Sequence, residues 1–274
     1  MRRILSAVMT LSLALGFTSG CASLKKANVG RTAAAILISD QQENQLGQQV
    51  KQELETKEKI KYLEDPVVVE YVRNVSTRLL QQANKDRQGV QWKVNVIDDP
   101  KTVNAFATPG GYLYVYTGLL LAADNEAEVA GVMGHEAGHV VGRHSAQAMM
   151  LQYGEQAVID AALGKNTGTV TQIAASLAGT GAGLAFSRSN ETEADELGAK
   201  YTSAVGYDPH ALETFFQKLA AQEGKTPGVF KWLSTHPPSA ERAQHINAYI
   251  SQHHLTGSDL GADRLAPIKA RLKK

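Results

Sequence analysis

The sequence predicts an α+β fold that is mostly helical, with a few short strands. Apolar side chains recur at helical spacing over residues 66–80, which indicates a helix with one buried face. Residues 92–97 alternate between polar and apolar, as a half-buried strand does, and two more short strands are predicted at 104–107 and 112–116. Because the chain shows no internal repeat and no second composition regime, a single domain is predicted from about residue 40 to residue 254.

The first two predicted helices begin at recognisable caps. Ser39 is placed to cap a polar helix over residues 40–57, whose weak apolar stripe indicates a helix on the outside of the domain. Asp65 followed by Pro66 begins the next helix, since proline is favoured at the first helical position. Residues 255–274 are expected to form a loose basic tail.

Charge and composition exclude several classes of protein. The 274 residues carry 28 Lys and Arg against 27 Asp and Glu, so the net charge is +1. Such a balance excludes charge-driven nucleic-acid binding as the main function. Hydrophobic residues make up 43% of the chain, which excludes a globally disordered protein. The only cysteine, Cys21, leaves neither an intrachain disulfide nor a cysteine-based zinc site possible.

The N-terminus has the features of an export signal. Two arginines precede an apolar run over residues 4–17, and small residues then lead to the cysteine. The run is shorter than the roughly 20 apolar residues that a membrane-spanning helix needs. The segment resembles a bacterial lipoprotein signal, which implies a signal peptide over residues 1–20, a lipid on Cys21 and a lipidated tether over residues 21–39.

Two neighbouring positions bear on this interpretation. Thr18 departs from the resembled pattern, which usually has Leu there, so secretion with Cys21 as an incidental free thiol is the alternative. Ala22 stands where Asp favours inner-membrane retention in the resembled Gram-negative lipoproteins. The expected location is therefore the periplasmic face of the bacterial cell envelope, with a lipid anchor in the outer membrane.

A metal-binding pattern lies within a helix predicted to begin near residue 126. Residues 135–139 read His-Glu-Ala-Gly-His. Residues four apart share one face of a helix, so His135 and His139 can bind the same ion. Glu136 lies about 100° around the helix, close enough to take a proton from a metal-activated water without binding the metal. The alternative is two hydrogen-bonded histidines in an apolar helix, which would be costly burials.

A catalytic zinc site needs a third protein ligand and an open position. His144 is one residue short of the third histidine of the longer pattern His-Glu-x-x-His-x-x-Gly-x-x-His, which would stand at Ser145. We therefore interpret His144 as a surface histidine or as one that contacts a ligand from behind. Glu191 and Asp195 are four apart on a predicted helix, so one carboxylate can bind zinc while the other accepts a hydrogen bond from a ligand imidazole. A solvated acidic helix start is the alternative, and Glu191 is the preferred ligand.

An ordered set of short segments resembles one known family. The segments lie at 104–107, 109–111, 118–120, 135–139, 191–195 and 236–237. Together they resemble metallopeptidase family 48, the HtpX and CAAX-prenyl-protease type of zinc endopeptidases, over roughly residues 40–250. The resemblance implies a gluzincin-type fold. In that fold an active-site helix, a small mixed sheet bordering the active-site cleft and a second helix with the glutamate ligand surround one zinc ion per chain.

The resemblance also implies roles for individual residues. Glu136 is expected to act as general base on a zinc-bound water. His236 is expected beside the zinc, either as a donor to the oxyanion or as a gate at the open position; the alternative is a simple turn residue before two prolines. Apart from the resemblance, Arg242, six residues after His236, is a candidate for orienting the oxyanion or a substrate carbonyl.

Integral members of the resembled family carry transmembrane helices, and this chain departs there. Its most apolar later stretch, residues 170–186, is interrupted by polar residues and glycines and predicts a close-packed helix or loop. The resemblance is therefore to the soluble periplasmic lipoprotein branch of the family.

The predicted function is zinc-dependent cleavage of unfolded or misassembled cell-envelope proteins, a form of quality control. Strand 112–116 precedes the active-site helix and is expected to offer an edge to which an extended peptide can add. Two alternatives are weighed. One is a zinc-containing periplasmic chaperone or assembly scaffold with little proteolysis, which would not require Glu136. The other, hydrolysis of a peptidoglycan amide, ranks last because no aromatic sugar platform is evident.

Overall fold

The computed structural model describes residues 38–181, 183–222, 231–237 and 240–273. The predicted signal peptide, Cys21 and all but the last two residues of the predicted tether lie outside this part of the chain.

Helices dominate the described residues, and three strands lie between the second and third helices. The helices are α1 (Asp40–Thr56), α2 (Pro66–Asp86), α3 (Thr117–Ala122), α4 (Glu126–Val141), α5 (His144–Tyr153), α6 (Glu155–Ala162), α7 (Thr167–Ala178), α8 (Arg188–Ala204), α9 (Ala211–Gln222), α10 (Lys231–Thr235), α11 (Ala240–Gln252) and α12 (Ala262–Leu272). The strands are β1 (Lys93–Ile97), β2 (Ala105–Thr108) and β3 (Tyr112–Tyr116). The predicted fold class, mostly helical with a small mixed sheet, is confirmed.

The sheet has the strand order β1-β3-β2. Strand β1 runs parallel to β3, with Lys93 opposite Tyr112, and β2 runs antiparallel to β3, with Ala105 opposite Val115. Successive side chains of β3 point to opposite faces. Leu113 and Val115 accordingly belong to one buried apolar cluster, and the three tyrosines of β3 belong to a second one on the other face.

The position of β3 corrects one expectation. Tyr112–Tyr116 was expected to border the cleft, but it is the central strand, with both edges paired. Strands β1 and β2 are the two edge strands, and it is β2 that lies at the cleft: its residues Phe106 and Ala107 line the cleft that Glu136 and His236 also line. A periodicity of two identifies a strand but carries no information on its place in a sheet, which long-range pairing decides.

Side chains at the predicted positions cap the helices. Ser39 and Gln42 form a reciprocal capping box at the start of α1, and the Asp65 carboxylate accepts from backbone N–H groups in the first turn of α2. Asn125 caps α4 by accepting from the backbone N–H of Glu128. These bonds satisfy backbone groups that would otherwise lack a partner at a helix start.

Helix α4 is the central helix of the domain, and all of its residues are buried. It packs against α8 closely enough that backbone meets backbone. A Cβ added at Gly138 would lie 3.0 Å from the Cα of Ala194, and one added at Gly198 would lie 3.0 Å from the backbone nitrogen of His135. Glycine is therefore required by close approach, and the two helices that carry the candidate ligands are held in direct contact.

The end of the chain also differs from the expectation. The loose tail predicted for residues 255–274 is wrong, because residues 262–272 form α12, and Leu265 and Ile268 are buried in the main apolar cluster. Residues 257–261 connect this helix to the domain, with Asp259 pairing to Tyr207. Of the basic side chains in this helix, Arg264 and Arg271 are exposed, and Lys269 is half-buried and donates to the carbonyl of Ala123.

Among the described residues, none of the helices combines the length and apolar character that a bilayer crossing requires.

Candidate metal and catalytic site

Helix α4 brings its two histidines together at the centre of the molecule. The Nε2 atoms of His135 and His139 lie 3.0 Å apart. Both rings are essentially inaccessible to solvent, with exposures of 0% and 1%. The spacing of four residues has put both imidazoles on one face of the helix, as the sequence predicts.

Helix α8 adds the two carboxylates. Glu191 Oε1 lies 3.4 Å from His139 Nε2, and its Oε2 lies 3.8 Å from His135 Nε2. Asp195, one turn further along α8, is 2.9 Å from the other ring nitrogen of His135, Nδ1. Glu191 therefore faces the point where the two histidines converge, whereas Asp195 contacts His135 from behind.

His236, which follows the short helix α10, completes the cluster. Its Nδ1 lies 3.0 Å from Glu191 Oε1 and 3.3 Å from His135 Nε2. One donor atom each from His135, His139, Glu191 and His236 all lie within 4.8 Å of one another, and all four residues are buried.

The protonation of these groups fits a metal ion. Burial lowers the pKa of His135, and it lowers the pKa of His139 to about 4. Although burial opposes its ionisation, contacts with His236 and His139 hold the pKa of Glu191 well below its usual value. Two neutral imidazoles and one carboxylate therefore converge at neutral pH, which is the donor set that a catalytic zinc site uses.

Burial would lower the pKa of His236, but the neighbouring carboxylates of Glu191 and Glu136 outweigh it and raise the pKa. His236 thus lies between the metal-facing carboxylate and the predicted general base. Both predicted positions, beside the oxyanion and over the open ligand position, are compatible with this place.

Glu136 lies beside the cluster and outside the group of converging donor atoms. Its Oε1 accepts a hydrogen bond of 2.9 Å from the Trp232 indole and is 3.5 Å from His236 Nε2. It also lines the cleft, together with Phe186 and the edge strand β2. A carboxylate that faces both the cleft and the metal-facing cluster is suitably placed for proton transfer.

Arg242 lies against the two carboxylates of α8. Its Nε and Nη2 bind both oxygens of Asp195 at 2.8 and 2.7 Å, while Nη1 is 2.8 Å from Glu191 Oε2. The same Nη1 donates to the carbonyl of Pro237. The sequence predicts a group that orients an oxyanion or a substrate carbonyl, whereas the guanidinium here is directed at carboxylates of the protein. Together with His135 it lowers the pKa of Asp195 against the effect of burial.

Three further residues shape the site. His144 is buried, with 1% exposure, and its ring contacts His139 from behind, so it is not a surface histidine. The sequence analysis identifies neither Trp232 nor Phe186 as a site residue. Trp232 is fully buried against His135 and His236, and the ring of Phe186 stacks on His236 at a centroid distance of 5.3 Å. The one signal for Trp232 is its position, four residues before His236 in the sequence.

A histidine pair on one helix, a facing glutamate on a second helix and an adjacent glutamate in the cleft define the zinc metallopeptidase class of site. The family comparison agrees. The family model described as "Peptidase family M48" matches residues 66–250, and the chain belongs to this family. The family resemblance predicted from the sequence is confirmed. The prediction of zinc is confirmed as well, because M48 metalloproteases use zinc.

Curated relatives carry protease names. The chain is 33% identical to the "Mitochondrial metalloendopeptidase OMA1" of Schizosaccharomyces pombe over 66% of this chain and 53% of the relative. It is 31% identical to the "Beta-barrel assembly-enhancing protease" of Escherichia coli over 75% of this chain and 43% of the relative. It is 34% identical to the "Metalloprotease LoiP" of Escherichia coli over 91% of this chain and 98% of the relative. The chain thus spans about half the length of the first two proteins and nearly all of the third.

Proposed function

We propose that this protein is a zinc-dependent endopeptidase in which Glu136 is the general base. The observation that carries the proposal is the position of Glu136, which lies next to the converging donors yet opens onto the cleft. A purely structural zinc site would gain nothing from a buried carboxylate there, and burial without a function is costly.

The expected ligands are His135, His139 and Glu191, with one zinc ion per chain. A bound zinc ion supplies Lewis acidity, which lowers the pKa of a ligated water to about 7 and polarises a peptide carbonyl. Glu136 takes the proton of the attacking water on its carboxylate and passes it to the leaving amine. Asp195 and Arg242 hold His135 and Glu191 in position from behind.

His236 has two candidate roles that predict opposite results. If His236 donates a hydrogen bond to the oxyanion, His236→Ala lowers turnover by about 10²–10³. If His236 is a gate that occupies the open position at rest, His236→Ala raises turnover.

An extended peptide is the substrate that the cleft fits best. Strand β2 borders the cleft and is one of the two outer strands of the sheet. Two carbonyls along this edge already have partners: the backbone N–H of Trp232 donates to Val103, two residues before β2, and the Ser145 hydroxyl donates to Ala107 within β2. The strand between these two bonds can pair with a peptide through backbone groups, which are largely blind to side chains. We therefore propose broad preference among unfolded or misassembled envelope proteins.

The proposed location rests on the N-terminal sequence. A lipid on Cys21 would hold the domain at the periplasmic face of the outer membrane. The test is Cys21→Ser, which should abolish incorporation of labelled fatty acid and release the protein into the periplasm. Membrane attachment that persists in this variant contradicts the lipoprotein proposal.

Substitution of Glu136 by glutamine tests the catalytic proposal. We expect Glu136→Gln to lower cleavage of casein and of unfolded β-barrel precursors by about 10²–10⁴ while zinc content stays at one per chain. Glu196→Gln is the matched control, because Glu196 pairs with His245 at the surface of α8. Equal cleavage by Glu136→Gln and the unaltered protein, or none by either when zinc is bound, would favour the chaperone or scaffold alternative.

A further inference from the structure

We infer that His144 and Glu193 are positioning residues that fix the ring of His139 through a two-step hydrogen-bond relay. The inference rests on the proposed zinc site and adds to it two residues outside the donor group.

The relay is a continuous chain of short contacts. His144 Nδ1 lies 3.1 Å from His139 Nδ1, and His144 Nε2 lies 3.2 Å from Glu193 Oε2. The His144 side chain is 1% exposed, whereas that of Glu193, on α8, is 18% exposed. The chain therefore runs from the ring of a predicted ligand to a carboxylate near the surface.

The relay assigns one proton to each ring. A neutral imidazole carries a single N–H, so His139 must hold it on Nδ1 if Nε2 is to offer a lone pair to the metal. This N–H donates to Nδ1 of His144, which then carries its own proton on Nε2 and donates it to Glu193. The opposite assignment would point an N–H of His139 at the metal position and prevent binding.

The two predicted histidine ligands are thereby supported in parallel. His135 contacts the carboxylate of Asp195 directly, at 2.9 Å. His139 contacts a second carboxylate of α8, that of Glu193, through the ring of His144. Groups behind a ligand that fix its tautomer and orientation typically change metal affinity 10- to 100-fold when they are removed.

The backbone between the two helices is built around this ring. A Cβ on Gly142 would lie 2.5 Å from Cε1 of His144, so only glycine leaves room for it. Arg143 then adopts a left-handed conformation with φ of 56°, which is unfavourable for a side chain of this kind. Its guanidinium donates to the carbonyl of Ile38 at 2.8 Å and pairs with Asp40, and these bonds hold the turn that folds His144 back onto His139.

The experiment measures zinc affinity by chelator competition and thermal stability of the zinc-free protein for His144→Leu and His144→Gln. We expect the leucine variant to bind zinc 10- to 100-fold more weakly, because it can neither accept from His139 nor donate to Glu193. A glutamine amide has both an acceptor and donors, so His144→Gln should stay within a few-fold of the unaltered protein. His245→Leu is the control, because His245 forms a comparable histidine–carboxylate pair with Glu196 at the surface.

A second variant covers the possibility that His144→Leu does not fold. Glu193→Leu changes a partly exposed side chain and should weaken zinc binding about tenfold without lowering the stability of the zinc-free protein, whereas Glu196→Leu should change neither. Equal zinc affinity in Glu193→Leu and the unaltered protein overturns the relay. A His144→Gln variant as weak as His144→Leu also overturns it. Absence of zinc from the unaltered protein would instead overturn the proposed function on which the relay rests.

Discussion

The predicted metal ligands His135, His139 and Glu191 stand on two long helices, α4 and α8, whose backbones touch at glycines. His236 and Trp232 belong to the α10 segment, which we define as residues 231–237 and which contains a helix of only five residues. The helix pair is positioned by close backbone packing. The α10 segment is positioned by the burial of Trp232 and Leu233 in the main apolar cluster and by bonds to other elements, such as the one from the Trp232 indole to Glu136.

This difference separates binding of the metal from access to it. A closely packed helix pair fixes ligand atoms precisely, as coordination requires. A five-residue helix buries far fewer side chains than a pair of long helices, so the α10 segment can change its place at a smaller cost in free energy. In either role, as an oxyanion donor or as a gate, His236 belongs to the α10 segment. Substitutions in this segment should disturb the metal ligands less than substitutions in the helix pair.

Arg242 joins the two regions, and removing it should have the largest effect on stability. Its side chain binds Asp195 and Glu191 of α8 and also the carbonyl of Pro237 in the α10 segment. We expect Arg242→Met to lower the free energy of unfolding of the zinc-free protein by about 3–5 kcal/mol, because two buried carboxylates lose their cation. Urea denaturation measures this loss.

Arg188→Met is the matched control for that variant. The Arg188 side chain is 96% exposed and pairs only loosely with Glu241. Its loss should cost less than about 1 kcal/mol. Similar losses in the two variants would show that Arg242 does not hold the regions together.

An enlarged residue at the helix contact tests the other half of the comparison. Gly138→Leu should lower the free energy of unfolding by about 1–3 kcal/mol and weaken zinc binding, because its side chain must push Ala194, and with it Glu191, away from α4. Gly168→Leu is the control, since Gly168 is exposed in α7 and a Cβ added there would have no neighbour closer than 3.6 Å. Unchanged zinc affinity in Gly138→Leu would mean that the ligands do not depend on this contact.

Loss of one hydrogen bond from the α10 segment should have the smallest effect. Trp232→Phe keeps an aromatic ring but removes the N–H that donates a hydrogen bond to Glu136. We expect kcat to fall about tenfold, with KM and zinc content unchanged, because a hydrogen bond to a charged group contributes about 1.5 kcal/mol. Trp92→Phe also removes an indole bond, to Asn84; neither of these two residues lines the cleft, so kcat should stay unchanged. A fall in zinc content in Trp232→Phe would place Trp232 among the supports of the metal ligands instead.

Sequence reasoning succeeds for the helix pair because its signals are local. The capping residues Ser39, Asp65 and Asn125 begin helices where predicted. The spacing of four within α4 and within α8 is enough to put each pair of polar side chains on one face. A search by pattern therefore finds His135, Glu136, His139, Glu191 and Asp195, and the structure brings all five together.

Sequence reasoning fails wherever a side chain contacts a residue that is distant in the chain. The bond from Trp232 to Glu136 joins residues 96 positions apart, and that from His144 to Glu193 joins residues 49 apart. The role expected of Arg242 differs from its observed contacts for the same reason. The helix over residues 262–272 is a different case, because its signal is local: Leu265, Ile268 and Leu272 recur at helical spacing, and the prediction of a basic tail overlooks this pattern.

The sequence by itself determined the helices of the site, the face on which each polar pair lies, the donor types that suit zinc and the family. Only the tertiary structure decided that β2 is the edge strand at the cleft, that Arg242 faces two carboxylates and that His144 lies behind His139. The physical reason is that helical periodicity and capping depend on residues within about one turn. The order of strands, the burial of a ring and the partner of a charge depend on contacts between distant segments, which exist only once the chain has packed.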